Sequence, residues 1–242
     1  MEILEFVKRL HDECIHHSEH IVFDKKHSRH LYWVALYGTL IEMAGSLTTL
    51  IEWNHRTGVP TIYRSILEAY VELKNLHENS EYAYHMDASY HCQWIKVFKE
   101  AKKKPNPYLK SISVIENLDE NLQKSEQELT ELKKKGYSPL NVFQRFERAG
   151  MVDEYRSLYN FLSNDAHSNI QALVSRHLEI HENDFTVVYY KDNPLGYFLK
   201  YLNPVAGFLT DASMRIHGFF KTGSIGEIER LRQELNEIQS HY

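Results

Sequence analysis

The sequence contains few of the residues that interrupt regular structure. Its 242 residues include only 10 Gly and 6 Pro. Because these two residue types form turns and end helices, their scarcity predicts long regular elements joined by short loops. Cys14 and Cys92 are far apart in sequence, so we expect no disulfide framework and a reducing cytoplasmic environment.

The sequence also lacks a long hydrophobic run and an excess of positive charge. Its most apolar stretch, residues 31–50, is interrupted by Glu42, which favours a buried helix over a membrane span. The first ten residues alternate charged and apolar side chains, so no secretory signal is expected. The formal net charge is −5, and nucleic acid would therefore need a local basic patch to bind.

Several catalytic signatures are absent. There is no Gly-rich phosphate loop, no zinc-finger spacing, no His-Glu-x-x-His and no Gly-x-Ser-x-Gly, which argues against the enzyme classes that depend on them. Histidine is abundant, with 15 residues. Glu13, His17 and His20 would share one helical face, but no second ligand set is evident, so we expect no metal site and no cofactor.

Helical periodicity dominates what remains. It predicts a single all-α domain over residues 1–242, built as a bundle of about eight helices. Pro60 is expected to open one of them from the first-turn position. Residues 178–190 are the exception, because two short β-prone runs flank a polar turn and predict a β-hairpin insert.

Residues 108–135 form a distinct charged segment. Their apolar residues recur at steps of three and four, and nearly all the others are charged or polar. This thin apolar seam predicts a charged helical arm, about 40 Å long at roughly 1.5 Å per residue. The arm either lies along the bundle as an exposed helix or projects as an antiparallel or dimerisation element. A homodimer is expected.

Two polar pairs interrupt the apolar helical pattern. Arg64 and Glu68 lie four residues apart, as do Ser163 and His167, so each pair shares one face of a helix. Polar side chains that face a helical core cost free energy unless they are satisfied. Each pair therefore predicts either a functional site or a set of buried structural hydrogen bonds.

If the two helices pack together, the four side chains suit metal-independent phosphodiester chemistry. His167 would be the acid–base group, and Ser163 would orient it or contact the substrate. Arg64 would hold the phosphate through its planar guanidinium, with Glu68 fixing that group.

Two neighbours of Ser163 complete the predicted site. Tyr159 and Asn164 are expected to contact the substrate. They belong to the segment Tyr159-Asn-Phe-Leu-Ser163-Asn-Asp-Ala-His167, which carries most of the chemistry predicted for the chain.

That segment, together with Arg64-x-x-x-Glu68, resembles an uncharacterised family of helical bacterial proteins. It is more distantly similar to HEPN-type proteins of toxin–antitoxin and abortive-infection systems. The resemblance implies a dimerising helical bundle that cleaves RNA. In HEPN ribonucleases an Arg usually precedes the catalytic His by four to six residues. His167 matches, but the sequence has Phe161, Leu162 and Ser163 at the Arg positions, which leaves Arg64 as a spatial substitute.

Three functional hypotheses follow. The first is a HEPN-like bacterial defence or toxin-system protein with ribonuclease activity and RNA as its substrate. The second is a non-enzymatic helical module that dimerises or binds a protein partner through the arm and the hairpin. The third is a sensor that grips a small anionic ligand with Arg64.

Overall fold

The computed structural model describes residues 2–103, 106–166 and 169–241, with the side chains of 164–166 excepted. It confirms an all-α fold with one small β-hairpin. The helices are α1 (Glu2–Ser18), α2 (Ser28–Glu52), α3 (Val59–Glu78), α4 (Tyr82–Lys103), α5 (Lys110–Ser113), α6 (Leu118–Lys134), α7 (Val142–Arg148), α8 (Val152–Glu154), α9 (Asn160–Ala166), α10 (Ile170–His177), α11 (Leu199–Phe220) and α12 (Ile225–Ser240).

The chain forms two compact units. The first contains residues 1–77 and 146–242, and the second contains residues 78–145. The single domain predicted over residues 1–242 stays a prediction.

The core of the first unit lies where α1, α2 and α11 pack against one another, with α12 on α11. On α1, Ile3, Val7, Leu10 and Cys14 are all buried. Their spacing of three and four residues makes one apolar stripe, the pattern of a helix with one buried face. On α2 the largest buried side chain is Trp33, whose ring stacks on Phe219 of α11 at 5.2 Å between centroids.

Helix α2 is also the one helix, among the residues described, with the length and apolar composition needed to cross a membrane. Its buried residues include Trp33, Tyr37, Leu40 and Leu47. The core helix of a globular domain has the same length and composition, so the sequence of α2 alone does not distinguish the two environments.

In the second unit, α4 packs along α6. Ion pairs join Lys99 to Glu126 at 2.7 Å and Lys102 to Asp119 at 2.5 Å. These pairs are exposed, so each is expected to contribute less than about 1 kcal/mol.

The charged arm predicted over 108–135 is not one continuous helix. It is divided into a 3-10 turn (Pro107–Leu109), the short α5 and the 17-residue α6. The break falls at exposed, β-branched Val114 and Ile115, which have low helix propensity. Helix α6 then begins after Asn117, with Asp119 and Glu120 in its first turn, where carboxylates favour the helix N-terminus.

The hairpin is shorter than its prediction. Strands β1 (Leu178–Ile180) and β2 (Phe185–Val187) pair antiparallel, with Leu178 opposite Val187. The predicted strand over 185–190 ends at Val187. Tyr190 has a φ of 55°, which a strand cannot accommodate.

Helices α8 and α9 are parts of one helical segment over residues 152–166. Between them, Tyr155–Tyr159 form a π-helical turn. Such turns contain about one extra residue compared with an α-helical turn, and they are frequent at functional sites. This turn carries Tyr159, the first residue of the predicted functional segment.

Candidate functional site

The side chain of Arg64 connects α3 to the π-helical turn. Its Nε donates to Glu68 Oε1 at 3.1 Å, and its Nη2 donates to the Tyr159 hydroxyl at 2.6 Å. The guanidinium carbon also lies 4.7 Å from the centre of the Tyr159 ring. The Arg64 and Glu68 side chains are 22% and 33% exposed. The cluster is therefore partly buried but not sealed from solvent.

Tyr159 is held in place by other aromatic rings. Its ring stacks on Tyr155 at 5.4 Å and contacts Phe146 at 5.2 Å between centroids. Burial raises the pKa of the Tyr159 hydroxyl, although the Arg64 hydrogen bond opposes that shift. The hydroxyl is therefore a neutral phenol near neutral pH and accepts a hydrogen bond from the Arg64 cation.

The remaining predicted site residues are placed only in part. Ser163 is half-buried, and its hydroxyl donates to the Tyr159 carbonyl at 2.8 Å within its own helix. The side chain of Asn164 and the whole of His167 lie outside the described residues. The structure thus brings Arg64, Glu68 and Tyr159 together, and the proximity of Arg64 to His167 stays a prediction.

Removing the Tyr159 hydroxyl tests this cluster. Tyr159→Phe keeps the ring stack but removes the acceptor for the Arg64 cation. We expect a loss of about 1–2 kcal/mol in the free energy of unfolding, since a hydrogen bond to a charged group is broken in a partly buried site. Urea denaturation of the wild type and of Tyr159→Phe measures this loss.

Tyr108→Phe is the matched control, because Tyr108 is 92% exposed and its loss of a hydroxyl is expected to change nothing. Equal stabilities for the two variants would contradict a stabilising role for the Arg64–Tyr159 hydrogen bond.

A pocket of about 330 Å³ lies between α10 and the start of α11. It is lined by Arg56, Phe161, Asn169, Gln171, Ala172, Ser175, Tyr197 and Lys200. We call it the Tyr197 pocket. Two cations lie over one ring in it: the Arg56 guanidinium carbon is 4.6 Å from the Tyr197 ring centre and Lys200 Nζ is 4.3 Å from it. Arg56 also donates to the Ser175 hydroxyl at 2.7 Å.

Arg56, Tyr197 and Lys200 are not among the site residues predicted from the sequence. The available signal was weak: Tyr197 and Lys200 lie three residues apart in an otherwise apolar segment. Arg56 joins them only through tertiary packing, which the sequence pattern does not specify.

The arrangement has clear chemical capabilities. Tyr197 is half-buried; cations such as Arg56 and Lys200 can bind phosphates, and an aromatic ring beside them can contact a base. Among the described residues there is no group of three or more His, Cys, Asp or Glu side chains arranged to hold a metal ion.

The fold and this site define an all-α protein with a polar cluster of Arg64, Glu68 and Tyr159 and a basic aromatic pocket. Residues 30–186 match the model of DUF5677, a family of unknown function. Because the match covers more than half of the chain, the protein belongs to this family. The match includes Arg64, Glu68, Tyr159, Ser163 and His167. No curated protein and no solved structure matches the chain.

Proposed function

We propose that the chain is a HEPN-like cytoplasmic protein of a bacterial defence or toxin system that binds single-stranded RNA and cleaves it without a metal. The observation that carries the proposal is the Tyr197 pocket, in which Arg56 and Lys200 both lie against one aromatic ring. Stacking platforms flanked by cations are the usual means of binding single strands. Arg56 and Lys200 supply local positive charge in a chain whose formal net charge is −5.

Two residues that line this pocket are close in sequence to the predicted catalytic residues, which supports a link to cleavage. Phe161 and Asn169 line it, and in the sequence Phe161 precedes Ser163 by two residues while Asn169 follows His167 by two. The long helix over 152–166 also carries Tyr159, which holds Arg64. The pocket and the polar cluster of Arg64, Glu68 and Tyr159 thus both include residues of the helical segment 152–166.

In the proposed reaction, His167 takes the proton of a ribose 2′-hydroxyl. The 2′-oxygen forms a bond to the adjacent phosphorus, and the bond from phosphorus to the 5′-oxygen breaks. The departing 5′-oxygen takes up a proton from water or from His167. Arg64 would stabilise the charge that develops on the phosphate, while Glu68 and Tyr159 hold the guanidinium. A homodimer would present two such sites.

A labelled single-stranded RNA incubated with the full chain in excess EDTA tests the proposal. We expect cleavage by the wild type and, for His167→Ala, a loss of at least about a hundredfold in rate, since general acid–base groups contribute that much. The melting temperature of the variant is expected to be unchanged. His241→Ala is the control, because His241 is an exposed histidine near the C-terminus.

Cleavage that persists in His167→Ala would reject the catalytic assignment. Lys200→Gln supplies a second readout: we expect weaker RNA binding and a shallower dependence of binding on salt, because one phosphate contact is lost.

The second candidate is a non-enzymatic interaction module, and one observation favours it. The hairpin exposes an apolar surface in which Ile180, Phe185 and Val187 are 73%, 55% and 52% exposed. Exposed apolar patches of this kind mark binding sites for proteins. A wild-type chain that neither binds nor cuts RNA in the assay above would favour this module over the ribonuclease.

A further inference from the structure

A second pocket, of about 350 Å³, lies where the α2–α3 connection meets the end of α10 and the residues that follow β2. We call it the hairpin pocket. Its size falls within the range of small-molecule sites, which begins at about 300 Å³. Arg56 lines it as well as the Tyr197 pocket, but none of the predicted catalytic residues does.

The lining of the hairpin pocket is cationic. Arg56, Arg176 and Lys191 contribute to it, together with the imidazoles of His55 and His177, and the lining residues that the structure describes include no carboxylate. This local charge contrasts with the net charge of −5. Basic side chains clustered in a concave site favour an anion, and Arg and Lys are the usual partners of phosphate.

Among the residues that the structure describes, Glu179 and Asp192 are carboxylates near the edge of the pocket, and each has a partner. Glu179 Oε1 is 3.7 Å from Lys191 Nζ, a distance at the long end for an ion pair. Asp192 accepts a hydrogen bond from the Asn54 amide. Neither carboxylate lines the pocket. An anion that enters the pocket would compete with Glu179 for Lys191 and with the Ser175 hydroxyl and carbonyl for Arg56.

The wall of the pocket also offers an aromatic face. Tyr190 is 82% exposed, and its ring meets His55 edge-on at 5.6 Å between centroids. The backbone at this ring has an unusual conformation, since Tyr190 has a φ of 55°. A bulky residue in the left-handed region is strained, and such strain is concentrated at ligand sites.

We propose that the hairpin pocket binds a nucleoside monophosphate unit, with the phosphate among Arg176, Lys191 and Arg56 and the base against Tyr190. Cations alone would suit any small anion. The exposed ring beside them adds a stacking surface for a planar base. The unit has two possible sources, a free nucleotide or the 5′-phosphorylated end of an RNA strand. The site does not require the proposed cleavage activity.

Isothermal titration of the full chain with AMP tests the site. We expect one molecule bound per chain, with adenosine and inorganic phosphate each binding more weakly because each supplies half of the contacts. Lys191→Gln removes one cation. Tyr190→Asn removes the ring while keeping a residue type that tolerates a positive φ. Each variant is expected to bind AMP roughly tenfold more weakly.

Lys25→Gln and Tyr108→Asn are the matched controls, since both residues are exposed and neither lines the pocket. They are expected to bind AMP like the wild type. Competition by a short 5′-phosphorylated RNA, but not by its 5′-hydroxyl form, would assign the site to RNA ends. AMP binding without such competition would assign it to free nucleotides.

Two results would overturn the inference: no saturable AMP binding up to about 5 mM, or AMP binding that Lys191→Gln and Tyr190→Asn leave unchanged. The outcome is separable from that of the cleavage assay. His167→Ala is expected to retain AMP binding whether or not the wild type cuts RNA.

Discussion

Acidification from about pH 7 to about pH 4 is expected to lower the free energy of unfolding by up to about 3 kcal/mol through His217 alone. Burial, with the nearby His17 and His20, lowers the pKa of His217 from 6.5 to about 4. Below pH 6.5 the unfolded chain takes up a proton at this residue that the folded chain does not. The contribution is therefore fully present above pH 6.5 and is lost as the pH falls toward 4.

The surroundings of His217 explain why the folded protein excludes the proton. The side chain is fully buried, and its Nδ1 hydrogen-bonds with the Thr222 hydroxyl at 2.7 Å. Its ring meets His17 of α1 at 6.1 Å and Tyr37 of α2 at 5.9 Å, both edge-on. A charged imidazolium here would lose its hydration and would face another histidine.

Urea denaturation at a series of pH values between 7 and 4 measures the effect. His217→Gln is expected to be less stable at pH 7 but to lose less stability on acidification, because the titrating group is gone. His241→Gln, which alters an exposed histidine, is expected to keep the wild-type slope. Because this variant keeps every carboxylate, its pH dependence includes the carboxylates that titrate in the same range. A wild-type slope in His217→Gln would show that other groups cause the acid sensitivity.

Phe146→Ala is expected to lower the free energy of unfolding by about 3–5 kcal/mol, the usual cost of truncating a fully buried Phe. Phe146 is 1% exposed and packs against the rings of Tyr155 and Tyr159. The cavity would lie next to the Tyr159 ring, whose hydroxyl accepts a hydrogen bond from Arg64. Since small domains are stable by only about 5–15 kcal/mol, the variant would fall close to the limit of folding.

Thermal and urea denaturation monitored by circular dichroism check this effect. Phe185→Ala provides the comparison, because Phe185 is 55% exposed on the hairpin and its truncation should cost less than about 1 kcal/mol. Similar losses in the two variants would mean that the aromatic cluster around Tyr159 does not stabilise the fold as its burial implies.

Local sequence patterns were sufficient for most of the helices. Helical periodicity predicted an all-α fold, and the stripe of Ile3, Val7, Leu10 and Cys14 on α1 shows why, because these residues share one face and that face is buried. Pro60 predicted the start of α3, which begins at Val59. The break at Val114 was missed, because the three- and four-residue spacing of apolar side chains continues through it even though β-branched residues there disfavour the helix.

The candidate site was predictable only where its contacts are local. Arg64 and Glu68 are four residues apart, so their contact follows from helix geometry. The contact between Arg64 and Tyr159 joins residues 95 positions apart and depends on how α3 packs. The hairpin pocket is harder still, because Arg56, Arg176 and Lys191 come from three separate segments that only the tertiary fold brings together.

The π-helical turn at Tyr155–Tyr159 has a consequence for comparing this chain with its relatives. Successive residues of an α-helix differ by about 100° in direction, and a π turn is equivalent to the insertion of one residue. A relative that lacks one residue in this segment would have an ordinary helix, and the phase between Asp153 and Ser163 would change by that angle. A one-residue gap in an alignment here would therefore identify family members with an ordinary α-helix. In those proteins, the counterpart of Ser163 would point in a different direction relative to the counterpart of Asp153.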